Sequence, residues 1–146
     1  MIYEELKIQL DLNNPIDVLK SIGRKIKDNK WFVVCDKGDC HLFDNDGNDI
    51  DISKIKVLNG WLIPINIEKI IIPNSVKNIE YCTFAYNKSL TSITIPDSVK
   101  SISCDVFYEC KNLKSLTFEG KTIDQVKSMK NYPFGIYDKS IIKCIN

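Results

Sequence analysis

Apolar residues in the middle of the chain alternate with polar ones instead of recurring at helical spacing. Ile70 and Ile72, Ile93 and Ile95, and Leu116 and Phe118 flank Ile71, Thr94 and Thr117. A period of two puts one row of side chains on the buried face of a strand and the next row outside. Pro73 and Pro96 follow at once and end the first two strands, because proline brings no N–H to a ladder. Val76/Val99 and Ile79/Ile102 predict a second short extended piece, and Phe84/Phe107 a single helical turn. Between segments 67–89 and 90–112, nine of 23 paired positions are identical: Ile70/Ile93, Ile72/Ile95, Pro73/Pro96, Ser75/Ser98, Val76/Val99, Lys77/Lys100, Ile79/Ile102, Phe84/Phe107 and Lys88/Lys111. A third copy opens at Leu113. A short fixed period predicts stacked units that share one elongated core. Like residues then lie over like at the strand spacing of about 4.8 Å.

The flanks read differently. Ile2, Tyr3, Leu6 and Leu10 fit one helical face, although Lys7–Leu10 also alternates as a strand would. Asn14 as a cap, Pro15 in the first turn and Asp17 near the positive end of the dipole predict a helix ending near Asp28–Asn29. Its apolar side is Ile16, Leu19, Ile22 and Ile26. Trp31–Cys35 and Cys40–Phe43 predict a hairpin around the turn Asp36–Asp39, and Asp44–Asn48 a second turn. Short extended pieces lead on to Gly60–Trp61. After Gly120, Thr122 caps a helix through Met129, a loop covers Asn131–Gly135, and Lys139–Cys144 is a last strand. The expected fold is α/β, one domain over 1–146: a helix-plus-hairpin cap at 1–66, a solenoid with a parallel strand ladder at 67–120, and a helix–strand cap at 121–146. The caps would cover the ends of the ladder, since an exposed edge recruits other chains.

Composition changes this picture little. The 146 residues are 44% hydrophobic and 27% charged with a formal charge of +1, so no one-signed field points to nucleic acid. No run approaches the roughly 18 apolar residues that span a bilayer. Met1 is followed by Ile-Tyr-Glu-Glu, with neither a basic stretch nor an apolar run. The start therefore predicts a cytoplasmic protein whose six cysteines are thiols.

Candidate chemistry is thin. Aligning Gly47 with the glycine of a calcium loop puts Asp44 and Asp46 at ligand positions, but Leu42 and Ser53 then fall at the two ends where carboxylates are needed. Cys35, Cys40 and His41 lack a second pair for zinc, and His41 is the only histidine. There is no Gly-rich phosphate loop and no nucleophile elbow. No metal and no cofactor is expected, and Cys110 is expected to pack inside, with Cys104 nearer the surface. An enzyme would need a deep pocket with converging titratable groups.

The text Leu90-Thr91-Ser92-Ile93-Thr94-Ile95-Pro96-Asp97-Ser98-Val99, followed by Phe107, Cys110 and Leu113, resembles the BspA-type leucine-rich repeats. The copy at 67–89 departs from it with Asn87 in place of Cys110. Phe118–Thr122 and Tyr132–Gly135 resemble the ending of such proteins. The resemblance implies a right-handed solenoid, without enzymatic activity, used for protein–protein contact. A short version without a leader, starting in a helix plus hairpin, resembles proteins carried by bacteriophages and mobile elements. That implies a second function, inhibition of a host or defence enzyme in the manner of an anti-CRISPR protein.

The expected contact surface is the outward side of the ladder: Lys69, Ile71, Ser92, Thr94, Ser115 and Thr117. The acidic turns, through Asp36, Asp39, Asp44 and Asp46, would extend it. Trp31 and Trp61 are expected in the core, any exposed part adding to the surface. The partner is expected to be a protein of unnamed identity. The short stack also leaves solenoid edges through which two copies could dimerise.

Overall fold

The computed structural model describes residues 23–26, 30–35, 37–64 and 66–145. They open on an antiparallel sheet of four strands in chain order: β1 (Gly23–Ile26), β2 (Lys30–Val34), β3 (Cys40–Phe43) and β4 (Asp49–Ile50). The predicted hairpin is there, β2 facing β3 from Trp31↔Phe43 to Val34↔Cys40. Its turn closes with Gly38 N–H on Cys35 C=O at 2.8 Å and Cys35 N–H on Asp39 C=O at 2.9 Å. Residues 23–26, expected inside the second helix, are instead a strand, paired from Gly23↔Val33 to Ile26↔Lys30. Trp31, Phe32 and Val33 are all buried. A central strand so enclosed needs a hydrogen-bonded neighbour on each edge, and that tertiary demand overrides a helical spacing of Ile22 and Ile26. The helix expected over 2–10, and the rest of the one over 14–28, lie outside the described residues.

After a 3₁₀ turn at Ile52–Lys54, capped by the Asp51 carboxylate accepting from Ser53 N–H at 2.9 Å, the chain coils. One parallel sheet joins β5 (Val57–Leu58), β6 (Asn78–Ile79) and β8 (Ser101–Ile102), stacking Leu58, Ile79 and Ile102. A second joins β7 (Ser92–Ile95), β9 (Ser115–Glu119) and β10 (Ile142–Ile145), stacking Ile93, Leu116 and Ile142. A third seam runs along the predicted phenylalanine turns. There Phe84 N–H donates to Val106 C=O at 3.0 Å, and Phe107 N–H to Phe134 C=O at 2.9 Å. The Phe84 and Phe107 rings lie 5.6 Å apart and nearly parallel. These turns repeat a left-handed backbone at the same 23-residue spacing: Cys82 and Asp105 at φ 56°, Tyr86 at 64° and Glu109 at 58°. The result is a β-solenoid of about four turns whose core runs unbroken from Phe32 and Leu42 of the hairpin to Ile142.

Among the described residues the fold is mostly strand with little helix, consistent with the expected repeat solenoid. Among the described residues the one α-helix is α1 (Ile123–Lys127), which ends before Met129. Thr122 starts it as predicted: its hydroxyl accepts from Gln125 N–H at 3.2 Å, and Gln125 Oε1 accepts from Thr122 N–H at 2.8 Å. The last strand also differs. Lys139–Ile141 is a 3₁₀ turn, and β10 extends the ladder by another rung instead of covering it.

The strand expected over 69–72 does not join the ladder. Ile71 N–H donates to Gly38 C=O at 2.8 Å, and Cys40 Sγ donates to Ile71 C=O at 3.3 Å. The hairpin thus seats its tip on the first repeat and takes the main-chain groups of Ile71. The seating requires glycine at position 38. Its φ is +91°, and a Cβ would lie 3.0 Å from Ile70 Cα. Gly38→Ala should therefore lower stability by about 1–3 kcal/mol in urea unfolding. Gly60→Ala is the control: its nearest neighbour would be 3.7 Å away, so the change should stay within about 0.5 kcal/mol.

Candidate functional site

The ladder register assembles the predicted surface in part. Ser92 lies beside Ser115, and Thr94 beside Thr117. The alternation that buries Ile93, Ile95, Leu116 and Phe118 turns these hydroxyl side chains outward. Ser92 and Thr94 are exposed; Ser115 and Thr117 are half-buried, their hydroxyls 3.5 Å apart. Short side chains keep this face flat. Lys143 continues the row beside Thr117, and Ile145 lies beside Glu119. The sequence reading missed both, because it took the last strand for a cover. The 23-residue repeat could not have placed them, since β10 begins 26 residues after Leu116. Lys69 and Ile71 are exposed as expected, Ile71 at 52%, but no hydrogen bond joins them to β7. A cleft of about 280 Å³ lies between.

The acidic turns lie on the hairpin sheet, apart from the ladder register. Asp36 is outside the described residues, and Asp39 and Asp46 are exposed. Asp44 is committed to its turn: its carboxylate accepts from Asp46 N–H at 2.9 Å, Asn48 N–H at 2.9 Å and Asn48 Nδ2 at 3.2 Å. Desolvation pushes its pKa up, but the donors from Asn48 and Asp46 outweigh this and hold it below the ordinary carboxylate value. The donors that would have to be displaced for Asp44 to bind calcium are its own main chain. Among the described residues no three His, Cys, Asp or Glu side chains gather as a metal would require.

The two tryptophans part company. Trp31 is buried as expected, its Nε1 donating to Asn45 Oδ1 at 2.7 Å. Trp61 is 85% exposed, against the expectation of core packing. Leu62 N–H bonds Asn59 C=O at 3.1 Å and Trp61 N–H bonds Asn59 Oδ1 at 2.9 Å. That tight turn sends Leu62 and Ile63 into the core and leaves the indole outside.

Burial keeps two of the thiols protonated. Burial, with Cys35 and Asp39 nearby, pushes Cys40 up to about 12. Burial likewise pushes Cys110 up to about 11 against the opposing N–H of Asn87, and its Sγ donates to Phe84 C=O at 2.9 Å. His41 is in β3, its ring stacked on Phe43 at 6.0 Å. The buried Asn87 turns out to be as structural as the cysteine it replaces, its amide meeting both main-chain groups of Ile67, at 2.9 and 3.2 Å. A disulfide reagent at pH 8 should therefore modify the exposed Cys104 first. Cys40 and Cys110 should lag it by more than about tenfold in peptide-mapped labelling, since only thiolate attacks.

The matched family follows the same course through the chain as the solenoid. The family model described as the BspA-type leucine-rich repeat region (6 copies) matches residues 63–142, more than half of the chain. The match starts at Ile63 and extends over α1 to the first residue of β10, as expected if β10 is a rung of the ladder. No curated protein and no solved structure matches the chain. The periodic strands, the phenylalanine turns and the matched span identify one family: the chain belongs to the BspA-type leucine-rich repeat proteins.

Proposed function

We propose that the protein is a non-enzymatic interaction module that binds another protein through the outer face of β7, β9 and β10. The observation that carries this reading is the outward row Ser92, Thr94, Ser115, Thr117 and Lys143 held in register by the ladder. Backbone pairing fixes the position of each side chain, so the face is preorganised, and little ordering cost opposes a partner element laid across it. The fold class is typically an interaction scaffold. Two larger clefts lie elsewhere. One of about 360 Å³ is lined by Asp124, Gln125, Ser128 and Met129, and one of about 330 Å³ borders Glu68 and Lys69. Cys35 also lines the second. No helix among the described residues is long and apolar enough to cross a membrane. We take the cytoplasm as the setting, in keeping with six thiols of which none is bridged.

The test is affinity capture from bacterial lysate with the tagged protein, together with light scattering for self-association. The double variant Thr94→Glu/Thr117→Glu should lose the captured partner by about tenfold or more, which is about 1.4 kcal/mol. Lys127→Glu on the exposed side of α1 should capture as wild type does. Equal capture by the ladder variant and wild type would remove the face from the interaction. A single stoichiometric enzyme in the wild-type capture, lost in the ladder variant, would make the module an inhibitor.

A further inference from the structure

Among the described residues the break in the ladder leaves main-chain groups of β7 without partners. Ile145 C=O accepts from Gly120 N–H at 2.9 Å, and this bond fixes the phase of the sheet. On β9 the groups of Leu116 and Phe118 serve β10, while those of Ser115 and Thr117 serve β7. On β7, Ile93 and Ile95 answer them. The N–H and C=O of Ser92 and Thr94 therefore point the other way, toward residues 69–72. On that side Ile71 gives its N–H to Gly38 and accepts from Cys40, so the alternation turns Ile70 and Ile72 toward β7. Among the described residues no hydrogen bond crosses from 69–72 to 92–95. Along this break lies the cleft of about 280 Å³, lined by Ile70, Ile72, Ser92, Ile93 and Thr94 among others. The cleft opens on the outer face, because Ile70 and Ile72 are 4% exposed and Ile93 3%, all within the shared core.

An unpaired strand edge is a template for another strand. The cleft also has charge polarity. Lys69 stands where β7 begins; Glu119, one residue past the Ile95↔Phe118 pair, stands where it ends. We propose that this cleft takes an extended segment of a protein partner, pairing parallel to β7, with alternating apolar side chains, an acidic residue at its leading end and a basic one at its trailing end. The inference deepens the interaction-module reading and rests on it, but it makes a claim about main-chain pairing that can fail separately.

The experiment is amide exchange followed by NMR on the full chain. The probe is the peptide acetyl-Asp-Ser-Ile-Thr-Ile-Lys-amide, which copies β7 between the two charges. In the free protein, Ser92 and Thr94 amides should exchange at least about a hundredfold faster than Thr117, whose N–H is in the ladder. Saturating peptide should slow both by about tenfold or more, and the peptide with its end charges exchanged should do so at higher concentration only. Slow exchange of Ser92 and Thr94 in the free protein would show a closed ladder and overturn the proposal. So would a peptide that leaves them unchanged, or equal action by the two peptides. If the Thr94→Glu/Thr117→Glu variant loses its partner while those amides are slow in wild type, the outer face stands and the cleft falls.

Discussion

The structure depends on like aliphatic side chains lying over one another along the solenoid axis. Ile93, Leu116 and Ile142 form one such column, and Leu58, Ile79 and Ile102 another. Each repeat has only two short strands and a turn, too little to bury an apolar face alone. Burial therefore belongs to the interface between repeats. The same columns set the register of the backbone, because a slip of one residue would turn each buried isoleucine outward and each threonine in. The flat hydroxyl face is thus the other side of the packing constraint, and its precision comes from the core.

The two ends of the stack are handled differently. At the N-terminal end a hairpin that is apolar on both faces packs on the first repeat, with Gly38 in contact with Ile70 and Phe32 and Leu42 in the shared core. At the other end the chain adds β10, a rung with three half-exposed or exposed positions, Lys143, Cys144 and Ile145, instead of a lid. The hairpin does more than cover an edge. By bonding Ile71 it takes the first strand segment out of the ladder and interrupts a sheet that is otherwise regular on its other two seams.

The repeat was legible because its signals are local and redundant: alternation, Pro73 and Pro96 after each strand, and Phe84 and Phe107 at a fixed offset. The hairpin was legible for the same reason, two apolar runs around an Asp-Lys-Gly-Asp turn. What sequence could not give is pairing. Residues 23–26 have a spacing that fits a helix, yet form a strand because β2 needs a second neighbour. Nothing local says that Ile71 bonds Gly38 in place of β7, nor that β10 pairs with β9 at an offset of 26. Of the candidate surface, Ser92, Thr94, Ser115 and Thr117 follow from alternation alone. Lys143 does not, because its place depends on that non-repeating register. Trp61 was misplaced because composition favours a buried indole, whereas its turn admits Leu62 to the core instead.

The central claim, that neighbouring repeats share one column of packed side chains, is tested most directly by a double-mutant cycle on Ile93 and Leu116 in equilibrium urea unfolding. Stacked residues should show a coupling of at least about 0.5 kcal/mol between Ile93→Ala and Leu116→Ala. Additivity to within about 0.3 kcal/mol would mean that the two side chains belong to separate cores, and the solenoid account would be wrong.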